Sequence, residues 1–212
     1  MNNNRQSDLI EFYTNFLITN NKTIISRLAK ESRITTREKG EILIRPDAGT
    51  PATIILLDGV MKTYIVSPDG RETTYGFYYK PGTGVSMTKE MINIPEIWCK
   101  TLTHCTLIEI VDSSPYEIAE EFPELYKEIL FAWEPVYYDL IDRLRAVSTL
   151  KAKDRYLWFL KKHRPLADKI SLAEIALYLG IQPQSLSRIR AELAEEQGVT
   201  PPPEKSTIVN HE

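Results

Sequence analysis

The sequence predicts an α+β chain in three parts: an antiparallel β-domain, a long helix, and a small helical domain carrying a helix-turn-helix. Three observations point there. Short β-branched and aromatic runs, separated by turn signals, fill residues 39–111. Residues 123–150 are apolar on two adjacent helical stripes. Residues 171–190 read as two short helices joined by a tight turn.

The β-domain is preceded by a helical pattern from Ser7 to about Lys30. Strands are expected at 41–45, 53–57, 60–66, 72–79, 98–102 and 106–111. Pro46-Asp47-Ala48-Gly49, Asp58-Gly59, Pro68-Asp69-Gly70 and Pro81-Gly82 supply the turns. Close spacing without intervening helices indicates a sandwich or barrel. Tyr75, Phe77 and Tyr79 alternate and so share one face, with Tyr64 on a neighbouring strand. Such a wall suits an apolar or aromatic ligand. That these rings simply fill the barrel is the favoured alternative.

In the long helix, Leu125, Ile129, Ala132, Val136, Leu140 and Val147 form one stripe. Tyr126, Leu130, Trp133, Tyr137, Ile141 and Leu144 form the next. A helix apolar over two stripes needs two partners, here the β-domain and a second subunit. Pro135 lacks an N–H and crowds the preceding turn, so an irregularity is expected there. A separate short helix over 123–133 is favoured over one kinked helix.

In the helix-turn-helix, Ser171 caps the first helix with Glu174 three residues on. Gly180 stops it, and Pro183 opens the second helix, which runs to about Glu196. Leu186, Ile189 and Leu193 turn inward; Gln184, Ser185, Ser187, Arg188 and Arg190 turn outward. Gln pairs with adenine and Arg with guanine in a major groove. Ser171, Gln182 and Lys161 complete the candidate DNA-binding set, with hydroxyls and cations suited to phosphates. Residues 143–190 hold eleven Lys or Arg against Asp154, Asp168 and Glu174, in a chain of net charge −3. Positive charge is therefore gathered around the motif. Lys151, Lys153 and Lys162 are further phosphate candidates, a solvated face being an equal alternative.

Lys39-Gly40-Glu41-Ile42-Leu43, Leu56-Leu57-Asp58-Gly59-Val60-Met61-Lys62, Pro68-Asp69-Gly70-Arg71-Glu72 and Lys80-Pro81-Gly82, followed by the helix-turn-helix, recur in this order in one family. From about residue 25 to 198 the chain resembles the cyclic-AMP receptor protein/FNR (Crp/Fnr) family of bacterial regulators. The run from Asp154-Arg155-Tyr156 to Ile189-Arg190 looks like its branch common in Bacteroidetes and gut anaerobes, with unknown effector. The resemblance implies a double-stranded β-helix (jelly-roll) sensor domain like those that bind cyclic nucleotides, a dimerisation helix and a C-terminal winged helix-turn-helix. It places domains at 1–122, 123–150 and 151–198, with a disordered tail at 199–212 and a truncated wing, since Pro201-Pro202-Pro203 opposes a hairpin. It also sets an effector pocket between jelly roll and long helix, at Tyr64, Tyr75, Phe77, Gly82, Gly84, Ser86, Trp133 and Tyr137. Cyclic-nucleotide-binding members carry an Arg-Ser pair for the phosphate; here those positions fall on about Pro95-Glu96. Proline has no N–H and a carboxylate repels phosphate, which argues against cyclic AMP. Lys89 or Lys100 is the only rescue.

The resulting expectation is a dimeric transcription regulator that binds double-stranded DNA at an inverted repeat, meets RNA polymerase if it activates, and answers to a small-molecule effector. No cofactor or metal is expected. The alternatives are a jelly-roll ligand-binding module without DNA binding and a metal-dependent cupin-like enzyme. An enzyme is disfavoured because His104, His163 and His211 lie in three separate regions and no catalytic motif is present. Cys99 and Cys105 are too few for an iron–sulfur cluster and are read as buried thiols rather than a redox pair. No apolar run approaches the roughly twenty residues of a membrane span, and Met1-Asn2-Asn3-Asn4-Arg5 does not open a signal peptide. Cytoplasm is the expected compartment.

Overall fold

The structure, a computed structural model, describes residues 2–46, 52–87, 97–110 and 115–196. The expected tail and wing, Pro95-Glu96 and Lys89 lie outside the described residues. Two compact units result: residues up to 63 with 77–138, and residues 64–76 with the chain from 139 onward.

The first unit begins with α1 (Asn2–Phe16) and α2 (Lys22–Glu31). The expected single helix over 7–30 is thus two. The break is local chemistry: Asn21 caps α2, its side chain accepting from the Thr23 and Ile24 N–H groups. The N–H groups of Ile18 and Thr19 donate instead to the Glu128 carboxylate, at 3.0 and 2.7 Å.

Eight strands follow: β1 (Ser32–Arg37), β2 (Ile42–Ile44), β3 (Ala52–Asp58), β4 (Met61–Val66), β5 (Glu72–Tyr78), β6 (Gly84–Met87), β7 (Trp98–Thr101) and β8 (Cys105–Ile110). They form two four-stranded sheets, ordered β1-β8-β3-β6 and β2-β7-β4-β5. The pairings β1–β8, β2–β7, β3–β8 and β3–β6 are antiparallel. β1 and β6 were absent from the sequence expectation. The mixed polar run Ser32–Arg37 pairs through Arg33, Thr35 and Arg37, all three bonding the Glu109 carboxylate across the register. Helix α3 (Pro115–Glu121) precedes α4 (Leu125–Thr149).

Two apolar clusters hold this unit. One comprises Ile44, Ile54, Leu56, Met61, Tyr78, Val85, Cys99, Cys105 and Leu107. The other joins Leu9, Tyr13, Ile24, Leu28, Ile108, Ile110, Ile118 and Leu125. β3 and β8 alternate between them: Ile54, Leu56 and Leu107 serve the first, Ile55, Ile108 and Ile110 the second. At Gly59, φ is +105° and a Cβ would lie 2.5 Å from the His104 carbonyl oxygen. Only glycine fits that turn.

On β5 the buried parity is Thr74 and Tyr78, not the expected Tyr75-Phe77-Tyr79 set. Tyr75 is exposed and Phe77 and Tyr79 half-buried. Tyr78 joins the apolar core instead. Neither a shared wall nor barrel filling by the alternating rings is what the strand adopts.

Helix α4 runs unbroken through Pro135, correcting the expected separate helix over 123–133. Proline removes one donor from the ladder and a long helix retains the others on both sides. Leu125 is buried, Ile129, Trp133 and Val136 half-buried, while Leu130, Tyr137, Ile141 and Leu144 stand exposed.

The second unit contains the end of α4 and the helices α5 (Ala152–Lys162), α6 (Arg164–Ala167), α7 (Leu172–Leu179) and α8 (Pro183–Glu196). Its core is Tyr156, Phe159, Leu166, Ile170, Ile175, Tyr178, Leu179, Leu186, Ile189 and Leu193.

Candidate nucleic-acid interface and ligand cavity

The helix-turn-helix is built by local signals. Ser171 accepts from the Glu174 N–H at 3.3 Å and so caps α7. Gly180 ends α7 at φ +62°, ψ +39°, where a left-handed residue turns the chain most cheaply. Arg155 of α5 donates to the Leu179 carbonyl at 2.7 Å and to the Leu150 carbonyl at 3.1 Å. A guanidinium at two helix ends complements both dipoles. Sequence reasoning missed this role, since its partners lie five and 24 residues away.

α8 is two-sided. Leu186, Ile189 and Leu193 are buried; Gln182 just before it, Gln184 and Arg188 are exposed. Gln184 and Arg188 stand one turn apart on the same side. Ser185 and Ser187 are half-buried beside them, and the Ser185 hydroxyl receives a long 3.4 Å bond from Arg188. Arg190 departs from the expected outward set: it is half-buried and hydrogen-bonds the Tyr156 side chain of α5. Four residues beyond Leu186, it lies on the flank of the buried stripe. Burial raises the Tyr156 pKa while the Arg190 and Arg164 charges work against it. Lys161 is exposed at the end of α5.

Two other candidate cations are committed elsewhere. Lys153 pairs with Glu196 at 2.6 Å. Lys162 bridges Asp139 at 2.9 Å and Asp142 at 2.8 Å. Burial would lower the Lys162 pKa, but the two carboxylates outweigh it and hold the ammonium charged. Asp142 also accepts from the Trp158 indole at 3.1 Å, and the Tyr178 hydroxyl donates to Asp139. Arg143 donates to the Tyr178 carbonyl at 2.9 Å, its guanidinium 4.8 Å from that ring's centre. Trp158 and Tyr178 stack with rings 6° apart, and His163 is buried beside both. The last turns of α4 and the helix-turn-helix are thereby cross-linked into one body. The Lys162 and Arg145 bonds hold the Asp142 pKa down to about 2.

The first unit contains a cavity of about 130 Å³. β3 and β6 form its floor with Thr53, Ile54, Ile55, Gly84, Val85 and Ser86. α1 contributes Tyr13 and Phe16; α3 contributes Pro115 and Tyr116; α4 contributes Glu128, Ile129, Ala132, Trp133 and Val136. Thr53 and Ser86 face each other in the strand register and share a 2.8 Å hydroxyl bond. The Trp133 indole donates to the Tyr116 hydroxyl at 2.9 Å. Of the expected pocket residues, Gly82, Gly84, Ser86 and Trp133 line this cavity. Tyr64 and Tyr75 belong to the other unit, Phe77 is not among the lining residues, and Tyr137 is exposed on α4. The parity of β5 explains Tyr75 and Phe77. For Tyr137, the stripe containing Val136 is the one that turns to the sheet.

Cys99 and Cys105 are buried free thiols, and burial raises both pKa values. His104 is exposed and contacts Glu38 at 3.1 Å. Among the described residues no group of three or more His, Cys, Asp or Glu is placed to hold a metal ion. No helix among them is long and apolar enough to cross a membrane.

No protein-family model and no curated protein matches the chain. Solved structures do. A chain from Eubacterium rectale assigned to the Crp/Fnr family of transcriptional regulators aligns with a TM-score of 0.69 at 17% identity, covering 88% of this chain and 87% of that one. FixK2 from Bradyrhizobium japonicum aligns at 0.67 and 17% identity, covering 79% and 86%. CLP of Xanthomonas campestris, described as a c-di-GMP-responsive global regulator, aligns at 0.65 and 18% identity, covering 82% and 92%. The fold is therefore Crp/Fnr-like: an antiparallel β-sheet domain, a long helix and a C-terminal helical domain.

Proposed function

We propose that the chain is a homodimeric, sequence-specific DNA-binding regulator of transcription whose β-domain receives a small-molecule effector. The observation that carries this reading is the split character of α8. Leu186, Ile189 and Leu193 on its apolar side are buried, while Gln182, Gln184 and Arg188 remain exposed. Those side chains are the adenine- and guanine-reading types, presented at the start of a helix preceded by a tight turn. Lys161 adds a phosphate contact from α5.

The exposed Leu130, Tyr137, Ile141 and Leu144 of α4 support pairing through that helix. A two-fold pair would present two α8 helices one duplex turn apart, roughly 34–36 Å. An effector acts only if it binds one arrangement of the pair more tightly than another. One beside α4 would bias the helix whose last turns are cross-linked to the helix-turn-helix. The cavity beside Trp133 is the proposed receiving site. Cyclic AMP finds no cation among the described residues that line the cavity.

The test is selection from random duplexes by the full chain at about 150 mM salt, followed by mobility shift. The expected result is an inverted repeat with half-sites one helical turn apart. Absence of any enriched sequence overturns the reading.

A further inference from the structure

We infer that the cavity of the first unit binds an uncharged, mostly apolar molecule the size of a single ring, bearing one hydroxyl or carbonyl group. The inference rests on the regulator reading only in calling that molecule an effector.

Size comes first. The cavity measures about 130 Å³. An engineered apolar cavity of about 150 Å³ in another protein stays dry and takes up benzene. Charge comes next. Among the described residues that line the cavity there is no Lys, Arg or His, and the carboxylate is that of Glu128. Both Glu128 oxygens already accept backbone N–H groups, from Ile18 and Thr19. An anion entering would surrender its hydration, gain no cation, and meet a carboxylate. A cation would find only an acceptor that is already committed. A nucleotide phosphate would find no cation among the described lining residues.

The polar match is specific. Thr53 and Ser86 hydroxyls bond each other at 2.8 Å on the floor. Two hydroxyls bring two protons, and their mutual bond uses one. One donor is left for a ligand oxygen, opposite the apolar walls of Phe16, Ile129 and Trp133.

The test compares 4-fluorobenzyl alcohol with 4-fluorobenzoate, which share a ring and differ in charge. Binding to the DNA-free full chain is read by fluorine NMR line broadening and titration. The alcohol is expected to bind at least ten-fold more tightly than the carboxylate. Ala132→Trp, which projects an indole into the cavity from an exposed position of α4, should weaken the alcohol at least ten-fold with an unchanged circular dichroism spectrum. Ala132→Leu should give a smaller loss and serves if the larger residue disturbs folding. Equal binding of the two compounds overturns the ligand class. Alcohol binding that survives both variants overturns the site. Because no DNA is present, failure of the regulator reading leaves this result standing. A chain that selects an inverted repeat and ignores the alcohol loses only this inference.

Discussion

Gly180 shows how one residue sets the helix-turn-helix. An added methyl would meet nothing nearer than an Arg155 nitrogen at 3.8 Å, so space is not the constraint. The left-handed φ is, and Gly180→Ala should cost about 1–2 kcal/mol in a urea unfolding experiment. Arg188→Ala should instead leave stability unchanged, weaken operator binding by about 1–3 kcal/mol, and relax selectivity at one base pair, read by mobility shift over a set of single-site operator variants. Asp142 predicts an acid response. Its folded pKa lies near 2 against 3.8 for a free side chain, so the folded protein binds fewer protons there. The stability it contributes is complete above about pH 4 and lost as pH falls through 2. Asp142→Asn should remove that part of the acid dependence and lower stability at neutral pH by no more than about 1 kcal/mol, since the pair is partly solvated. Ser171, Gly180 and Pro183 were legible in the sequence because a cap or turn involves neighbours. The bonds of Arg143 and Asp139 to Tyr178, and of Arg155 to Leu179, were not, because they join residues 24 or more apart along the chain.

Among the elements, α4 has the largest consequence. Its exposed stripe includes Leu130 at 68% and Leu144 at 58% exposure, which a lone chain would leave in water. Leu144→Glu should shift the protein from dimer to monomer in sedimentation equilibrium while its circular dichroism stays unchanged. Periodicity made the two stripes of α4 visible, and the helix ends fall within two residues of those expected. It misjudged Pro135, because a local penalty was weighed without the long ladder around it. It also joined α1 to α2, although Asn21 held the capping chemistry that starts α2 afresh. On β5 the alternation itself was read correctly, but period two does not say which parity faces the core. Tyr78, on the other parity, is the ring that joins the core cluster with Leu56 and Leu107.

Over the whole molecule, part of the positive charge around the helix-turn-helix is spent internally: Lys153 on Glu196, and Lys162 on Asp139 and Asp142. Lys161 remains outward, and Lys161→Ala should weaken all duplexes alike and reduce the slope of log affinity against log salt by about one. The order of the parts was legible because turn signals, stripe patterns and the four β-domain motifs each persist through the chain. The cavity was half legible: Gly82, Gly84, Ser86 and Trp133 were named, but the α1 wall depends on a helix–sheet packing that no local pattern encodes. The outward stripe of α4 has a consequence for dosage. If pairing precedes occupancy of an inverted repeat, then in dilute cells halving the number of chains quarters the number of pairs. A promoter under such control would respond to the abundance of the protein more steeply than in simple proportion.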